Sequence, residues 1–261
     1  MQIATWNVNS IKQRLEHLLA FASTEQPDVI CLQELKCQNE AFPALEIEGA
    51  GYNIAHLGQK SFNGVAILSK HPLEDIRIGL PGDATDEQAR YLEAVVAPVG
   101  GAAIRVASIY LPNGNPVDTP KFDYKLSWMD RLIQHTRSLL ALEEAFVLAG
   151  DYNVIPNAKD AANPQEWVGD ALFRPESKER FQALLNLGLI DALRSCTDEA
   201  SLYTFWDYQA GSWQRNNGIR IDHLLLSPQA ADLLQSVSIA KELRSWDKPS
   251  DHVPVIARLK Q

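Results

Sequence analysis

The chain has 261 residues, 24 Lys and Arg against 33 Asp and Glu for a net charge of −9, and 46% apolar residues. Apolar content spread evenly over this length supports a buried core and excludes a disordered acidic polymer. The acidic balance counts against a partner bound through a broad basic face, nucleic acid first among them.

In chain order, short β-branched runs over 3–6, 28–32, 64–68, 92–97, 104–110, 145–149, 221–226 and 253–259 read as strands. Residues 11–22, 125–142 and 177–187 read as helices, with Leu132, Ile133, Leu139 and Leu140 near helical spacing. This order predicts an α/β sandwich with mixed sheets and lacks the regular repeat of a barrel. LPGDAT, LPNGNPVDTP and VIPNAKDAANP are loop-sized, so one domain over 1–261 is expected, with a faint duplication that two fused half-sheets would explain.

Cys31, Cys37 and Cys196 are an odd set without a CxxC pair, against both a disulfide framework and a thiolate zinc site. The segment MQIATWNVNS has no basic n-region or apolar h-region, and no run approaches the ~18 apolar residues of a membrane span. A cytoplasmic location without membrane contact is expected.

The informative pattern is where strands end. ATWN delivers Asn7 and then Asn9, VICLQE delivers Glu34, ASIYLPN delivers Tyr110 and Asn113, and FVLAGDYN delivers Asp151 and Asn153. Asp222 and His223 lead into HLLLS, and Ser250, Asp251 and His252 lead into VPVIARL. Singly, Asn and Asp after a strand are turn formers, Glu34 could open a solvated helix, and a histidine before a strand is ordinary surface. Six such endings converging would be a site. Carboxylate and amide oxygens without clustered His or Cys suit a hard cation, Mg²⁺ with Mn²⁺ as the alternative, and amides beside acids suit a phosphorylated substrate.

These strings, IATWNVNSI, DVICLQELK, GVAILSK, SIYLPNGNP, LAGDYNV, TFWDY, GIRIDHLLLS and SDHVPV, resemble in order the exonuclease III family of abasic-site endonucleases, within the endonuclease/exonuclease/phosphatase superfamily. The resemblance implies a DNase I-like, four-layered sandwich of two packed mixed β-sheets flanked by helices. It makes Glu34 the principal metal ligand, with Asn7 beside it and Asp251 a second acid near the metal. Asp151 would orient or deprotonate the attacking water, Asn153 would fix Asp151 and the phosphate, Tyr110 would contact the scissile phosphate, and His252, held by Asp222, would stabilise its charge. Asn9 stands where some relatives have Asp, which leaves the number of metal-facing carboxylates open, and Ser10 stands where Gly is common.

Substrate choice rests on YTFWDYQAGSWQRNNGIRID, which packs Tyr203, Phe205, Trp206, Tyr208 and Trp213 into eleven residues ahead of Arg215 and Arg220. These aromatics could equally anchor a long loop. The resemblance makes Phe205, Ile219 and Ile221 walls of a pocket for an extruded abasic sugar, with Trp213, Asn9 and Asn113 also on the substrate side. Lys60, Lys121 and Lys125, in two Gly- and Pro-marked loops, are the expected backbone contacts, with Lys36, Arg90 and Arg215 beside them. The expected activity is Mg²⁺-dependent hydrolysis 5′ to abasic sites in double-stranded DNA by a monomer with no obligate protein partner. The resemblance allows 3′ to 5′ exonuclease and 3′-phosphatase activities alongside. A phosphodiesterase acting on a small phosphorylated substrate and a silent nucleic-acid-binding regulator are the alternatives.

Overall fold

The computed structural model describes residues 1–260. Its first half runs β1 (Gln2–Asn7), α1 (Leu15–Glu25), β2 (Val29–Gln33), α2 (Ala44–Gly49), β3 (Asn53–Leu57), β4 (Val65–Ser69), β5 (Leu73–Ile78), β6 (Tyr91–Val96) and β7 (Ile104–Tyr110). There follow α3 (Pro120–Leu140), β8 (Phe146–Asp151), α4 (Pro175–Asn186), β9 (Ile190–Asp191), α5 (Ala192–Cys196), β10 (Asp222–Leu226), α6 (Pro228–Ala231), β11 (Leu234–Ile239) and β12 (Val255–Leu259). The strands form two six-stranded mixed sheets, ordered β11-β12-β1-β2-β4-β3 and β5-β6-β7-β8-β10-β9.

Each sheet holds one parallel pair, β1 with β2 and β7 with β8, between antiparallel neighbours. A parallel pair needs a crossover, and α1 and α3 supply them. The central strands read as unbroken apolar runs because both faces are covered. Ile3, Val29, Cys31 and Ile67 point inward against Val106, Val147, Ala149 and Leu224 of the other sheet. The alternate residues Ala4, Trp6, Ile30 and Leu32 point out against Leu18 and Phe21 of α1. On the far side Ile109, Phe146 and Leu148 meet Trp128, Met129 and Leu132 of α3 and Phe181 and Leu184 of α4. The layers are therefore helix, sheet, sheet, helix, the four-layered sandwich expected from the sequence.

Helix limits differ from the sequence reading for local reasons. Asn9 and Ser10 take left-handed backbone (φ 44° and 88°), so the chain turns first and α1 starts at Leu15 rather than 11. The α3 helix starts five residues before the expected 125, because Pro120 sits at its first turn, where a missing N–H costs nothing. Strands β5 and β11 were not expected from the sequence; both are edge strands with mostly solvent-facing residues, so they lack an apolar signal. The very short β9 and the polar-flanked β3 were missed likewise.

A buried ion network ties the loop before α4 to the second sheet. Arg220 donates to both oxygens of Asp160 (2.7 and 3.3 Å) and to Asp191 Oδ2 (2.8 Å), and Arg194 adds a second guanidinium on Asp160. Burial disfavours the Asp160 charge, but Arg220 and then Arg194 outweigh it and hold the carboxyl down at about 2. An unfolded Asp titrates near about 3.9, so this pairing stabilises the fold above about pH 4, by about 2–3 kcal/mol, and the contribution disappears as pH falls toward about 2. Denaturant unfolding of wild type and Asp160→Asn should therefore show a stability gap that is widest near neutrality and narrows as pH falls from about 4 toward about 2. A gap independent of pH would contradict the pairing.

Candidate active site

The two parallel pairs bring four strand ends to one place. Strand β1 ends at Asn7, β2 leads to Glu34, β7 ends at Tyr110 and β8 ends at Asp151. Ligand sites in mixed α/β sheets form beyond the carboxyl ends of such strands. Strands β10 and β12 run antiparallel to β8 and β1, so their N-terminal sides, with Asp222 and with Asp251 and His252, reach the same edge. Asn7 Nδ2 donates to Asp151 Oδ2 (3.0 Å), and the Tyr110 hydroxyl donates to Glu34 Oε1, so each pair of ends is joined across the two sheets.

At the centre, Asp151 and Asp222 are register partners on β8 and β10, and both are buried. His252 lies between them, with Nδ1 2.9 Å from Asp222 Oδ2 and Nε2 3.8 Å from Asp151 Oδ2. Burial opposes a charge on the imidazole, but Asp222 and then Asp151 outweigh it and raise its pKa. Burial likewise raises the Asp151 carboxyl, against the pull of His252, Asn7 and the Asn153 N–H. Asp151 Oδ1 accepts from that N–H at 2.9 Å, while Thr204 Oγ1 donates to Asp222 Oδ2 (2.5 Å). Ser250 donates to the Asn7 carbonyl (2.7 Å) and accepts from the His252 N–H (3.2 Å), fixing β1 to the 250–252 turn.

A second group lies around Glu34. Lys36 Nζ sits 3.3 Å from Glu34 Oε2 and donates to Asn9 Oδ1, while Asn9 Nδ2 donates to Asp251 Oδ1 at 3.0 Å. Tyr110 is kept protonated by burial, then by the charges of Glu34 and Asp151, and Arg90 lies 4.9 Å over its ring. Two donor sets could therefore hold a divalent ion. Asp151, Asp222 and His252 each offer one atom within 4.8 Å of the others. Both imidazole nitrogens there face carboxylates, which suits a proton rather than a metal. Glu34, Asn7 and Asp251 offer oxygen alone, the choice of a hard cation, and the Lys36 ammonium lies on Glu34 Oε2 and Asn9 Oδ1.

A model of the Endonuclease/Exonuclease/phosphatase family matches residues 4–252. The chain belongs to this family. It is 34% identical to exodeoxyribonuclease III of Haemophilus influenzae, over the whole of both chains. A Neisseria 3′ phosphatase bound to a product DNA hairpin superposes with a TM-score of 0.95 at 37% identity, again over all of both chains. An AP endonuclease from Archaeoglobus fulgidus gives 0.94 at 33%, with the same full coverage. The two-sheet sandwich is thus the DNase I-like fold of its relatives.

Beside the Asp151–His252–Asp222 cluster, where Phe205 packs on His252, lies a cavity of about 630 Å³, with Phe205, Ile219, Trp167, Asn163 and Asn217 on its walls. The 3₁₀ turn at Pro164–Trp167 supplies residues that the sequence reading missed; a tryptophan isolated in the polar loop NPQEW was the available signal. Ile221 lies in the buried layer behind the wall with Ile155 and Leu172. Trp213 is turned away from the cavity and packs edge-on against Trp206, with ring centroids 5.0 Å apart. Asn113 is exposed beside the site and donates to Asn153 Oδ1 (3.1 Å). Lys60 and Lys121 are exposed.

Lys125 is the clear correction. Its side chain is fully buried in α3, and its ammonium donates to the carbonyls of Asn153 (2.6 Å) and Asn113 (3.1 Å). The stem fills the space under Gly114, where a Cβ would lie 2.6 Å from Lys125 Cδ and the backbone takes φ +88°. A lysine in that position braces two site loops and touches no phosphate. Lys125→Met should lower thermal stability and activity while leaving the slope of log affinity for DNA against log salt unchanged. A phosphate contact would instead reduce that slope by about 0.9.

Proposed function

We propose that the chain is a Mg²⁺-dependent nuclease that hydrolyses the phosphodiester 5′ to abasic sites in duplex DNA, leaving a 3′-hydroxyl. Trimming of 3′ ends, as an exonuclease and 3′-phosphatase, uses the same groups. The observation that supports it most is the buried Asp151–His252–Asp222 cluster, which opens beside a cavity walled by Phe205 and Ile219.

In this reading Asp151 takes the proton of the attacking water. Asn7 and the Asn153 N–H occupy its oxygens and aim it. The His252 imidazole, held by Asp222 through Nδ1, carries Nε2 on the Asp151 side, where it would stabilise the charge that develops on a phosphate bound there. Tyr110, with its proton retained, and Asn113 contact the phosphate oxygens. Asn7, Glu34 and Asp251 would hold the Mg²⁺, which when bound supplies Lewis-acid stabilisation of the phosphate charge. The cavity accepts a deoxyribose, and swinging a nucleotide out of the helix costs least where no base is stacked or paired. Lys60, Lys121 and Arg215 position the duplex through its backbone without reading sequence. The protein acts as a cytoplasmic monomer.

Pure protein should incise an abasic duplex oligonucleotide in Mg²⁺ and not in chelator. Asp151→Asn and Glu34→Ala should each lower incision by about 10²–10⁴-fold with an unchanged circular-dichroism spectrum. Chelator-resistant incision, or near-wild-type turnover in either variant, would remove the corresponding assignment.

A further inference from the structure

A loop that borders the cavity is joined to Asp251 through one hydroxyl. Tyr208 lies between Asp207 and Gln209, which both line the cavity. Its hydroxyl accepts from Asn9 Nδ2 (3.2 Å) and Arg14 Nη2 (3.0 Å) and donates to the Pro249 carbonyl (2.8 Å). One donor and two lone pairs are all a phenol has, and all three are used. The same Asn9 Nδ2 donates to Asp251 Oδ1 at 3.0 Å.

The rest of the assembly fixes this group. The Arg14 guanidinium is buried and also donates to the carbonyls of Asn9 (2.8 Å) and Pro249 (2.9 Å). It thus closes a ring of contacts joining the segment after β1, the loop carrying Tyr208 and the turn carrying Asp251. Arg244 lies 5.1 Å over the Tyr208 ring and donates to the Trp206 carbonyl (3.0 Å), so the ring is held from its other side. Asn9 needs such holding, because its left-handed backbone (φ 44°) and the adjoining Ser10 (φ 88°) are conformations that the surroundings must impose.

We propose that the Tyr208 hydroxyl is a positioning group: it holds Asn9 against Asp251 and so sets metal affinity from the loop that borders the substrate cavity. The inference rests on Asp251 facing the metal. Because Tyr208 sits in the loop whose Asp207 and Gln209 line the cavity, whatever orders that loop also tightens metal binding, and the coupling is reciprocal.

The test is Mn²⁺ binding to the DNA-free protein by titration calorimetry, on wild type, Tyr208→Phe, Arg14→Met, the double variant and Asp251→Asn. Tyr208→Phe keeps the ring under Arg244 and removes only the hydroxyl, so it decides the matter even if Arg14→Met fails to fold. Loss of one hydrogen bond of this kind should raise the dissociation constant about 3- to 10-fold. The double variant should bind no more weakly than the weaker single one. Wild-type affinity in Tyr208→Phe, with weakened binding in Asp251→Asn, would overturn the positioning role and leave the metal assignment standing. Wild-type affinity in Asp251→Asn would remove both, while chelator-sensitive incision would still stand on its own assay.

Discussion

Two carboxylates, Asp151 and Asp222, face each other across one ladder of the second sheet, both out of water. The imidazole of His252 lies between them and makes the arrangement stable. Its position in turn requires β12 to run against β1 in the first sheet, so the two sheets must dock in one register for the cluster to exist. Burial raises the Asp151 carboxyl, and His252 draws it back down. Asn7 from the first sheet and the Asn153 N–H from the second both donate to it. Fold and chemistry therefore depend on the same contacts.

Backbone strain marks the rim of the site. Glu34, Lys36, Asn9 and Asn153 all hold left-handed backbone without being glycine, with φ between 44° and 53°. Side chains that must leave a strand and turn at once toward a common point are forced into such conformations, and the surrounding hydrogen bonds hold them there. Lys125 does this for the Asn113 and Asn153 loops from below, and the Arg14–Tyr208 ring does it for Asn9 from the side. Neither brace touches the cluster, yet both set where its neighbours point.

The strand ends were legible in the sequence because a buried strand that runs out into an acid or amide breaks a simple apolar pattern. Asn7, Glu34, Tyr110, Asp151, Asp222 and His252 all reach one edge for that reason. Lys125 was misread because a lysine in a Pro-marked stretch looks solvated, and only the tertiary fold shows its stem under Gly114. Arg220, met in sequence as one more cation after an aromatic cluster, is buried between Asp160 and Asp191, partners 60 and 29 residues away. Ion pairs between distant segments leave no local trace. Trp213 shows the limit of reading aromatic clusters, since its edge-on contact with Trp206 uses it for packing.

The charge of −9 first argued against a DNA partner. Two of the acids behind it, Asp151 and Asp222, are buried around one histidine and contribute little to the surface field, while Lys60 and Lys121 stand exposed. Net charge governs solubility and long-range steering; phosphate binding is decided locally. The Nδ1 contact to Asp222 makes His252 and Asp222 candidates to act as one unit. A double-mutant cycle on abasic-site incision tests it most directly, comparing wild type, His252→Asn, Asp222→Asn and the double variant. If the two act as a unit, the double variant is no slower than His252→Asn alone. Losses that multiply would show two independent contributions and contradict the shared cluster.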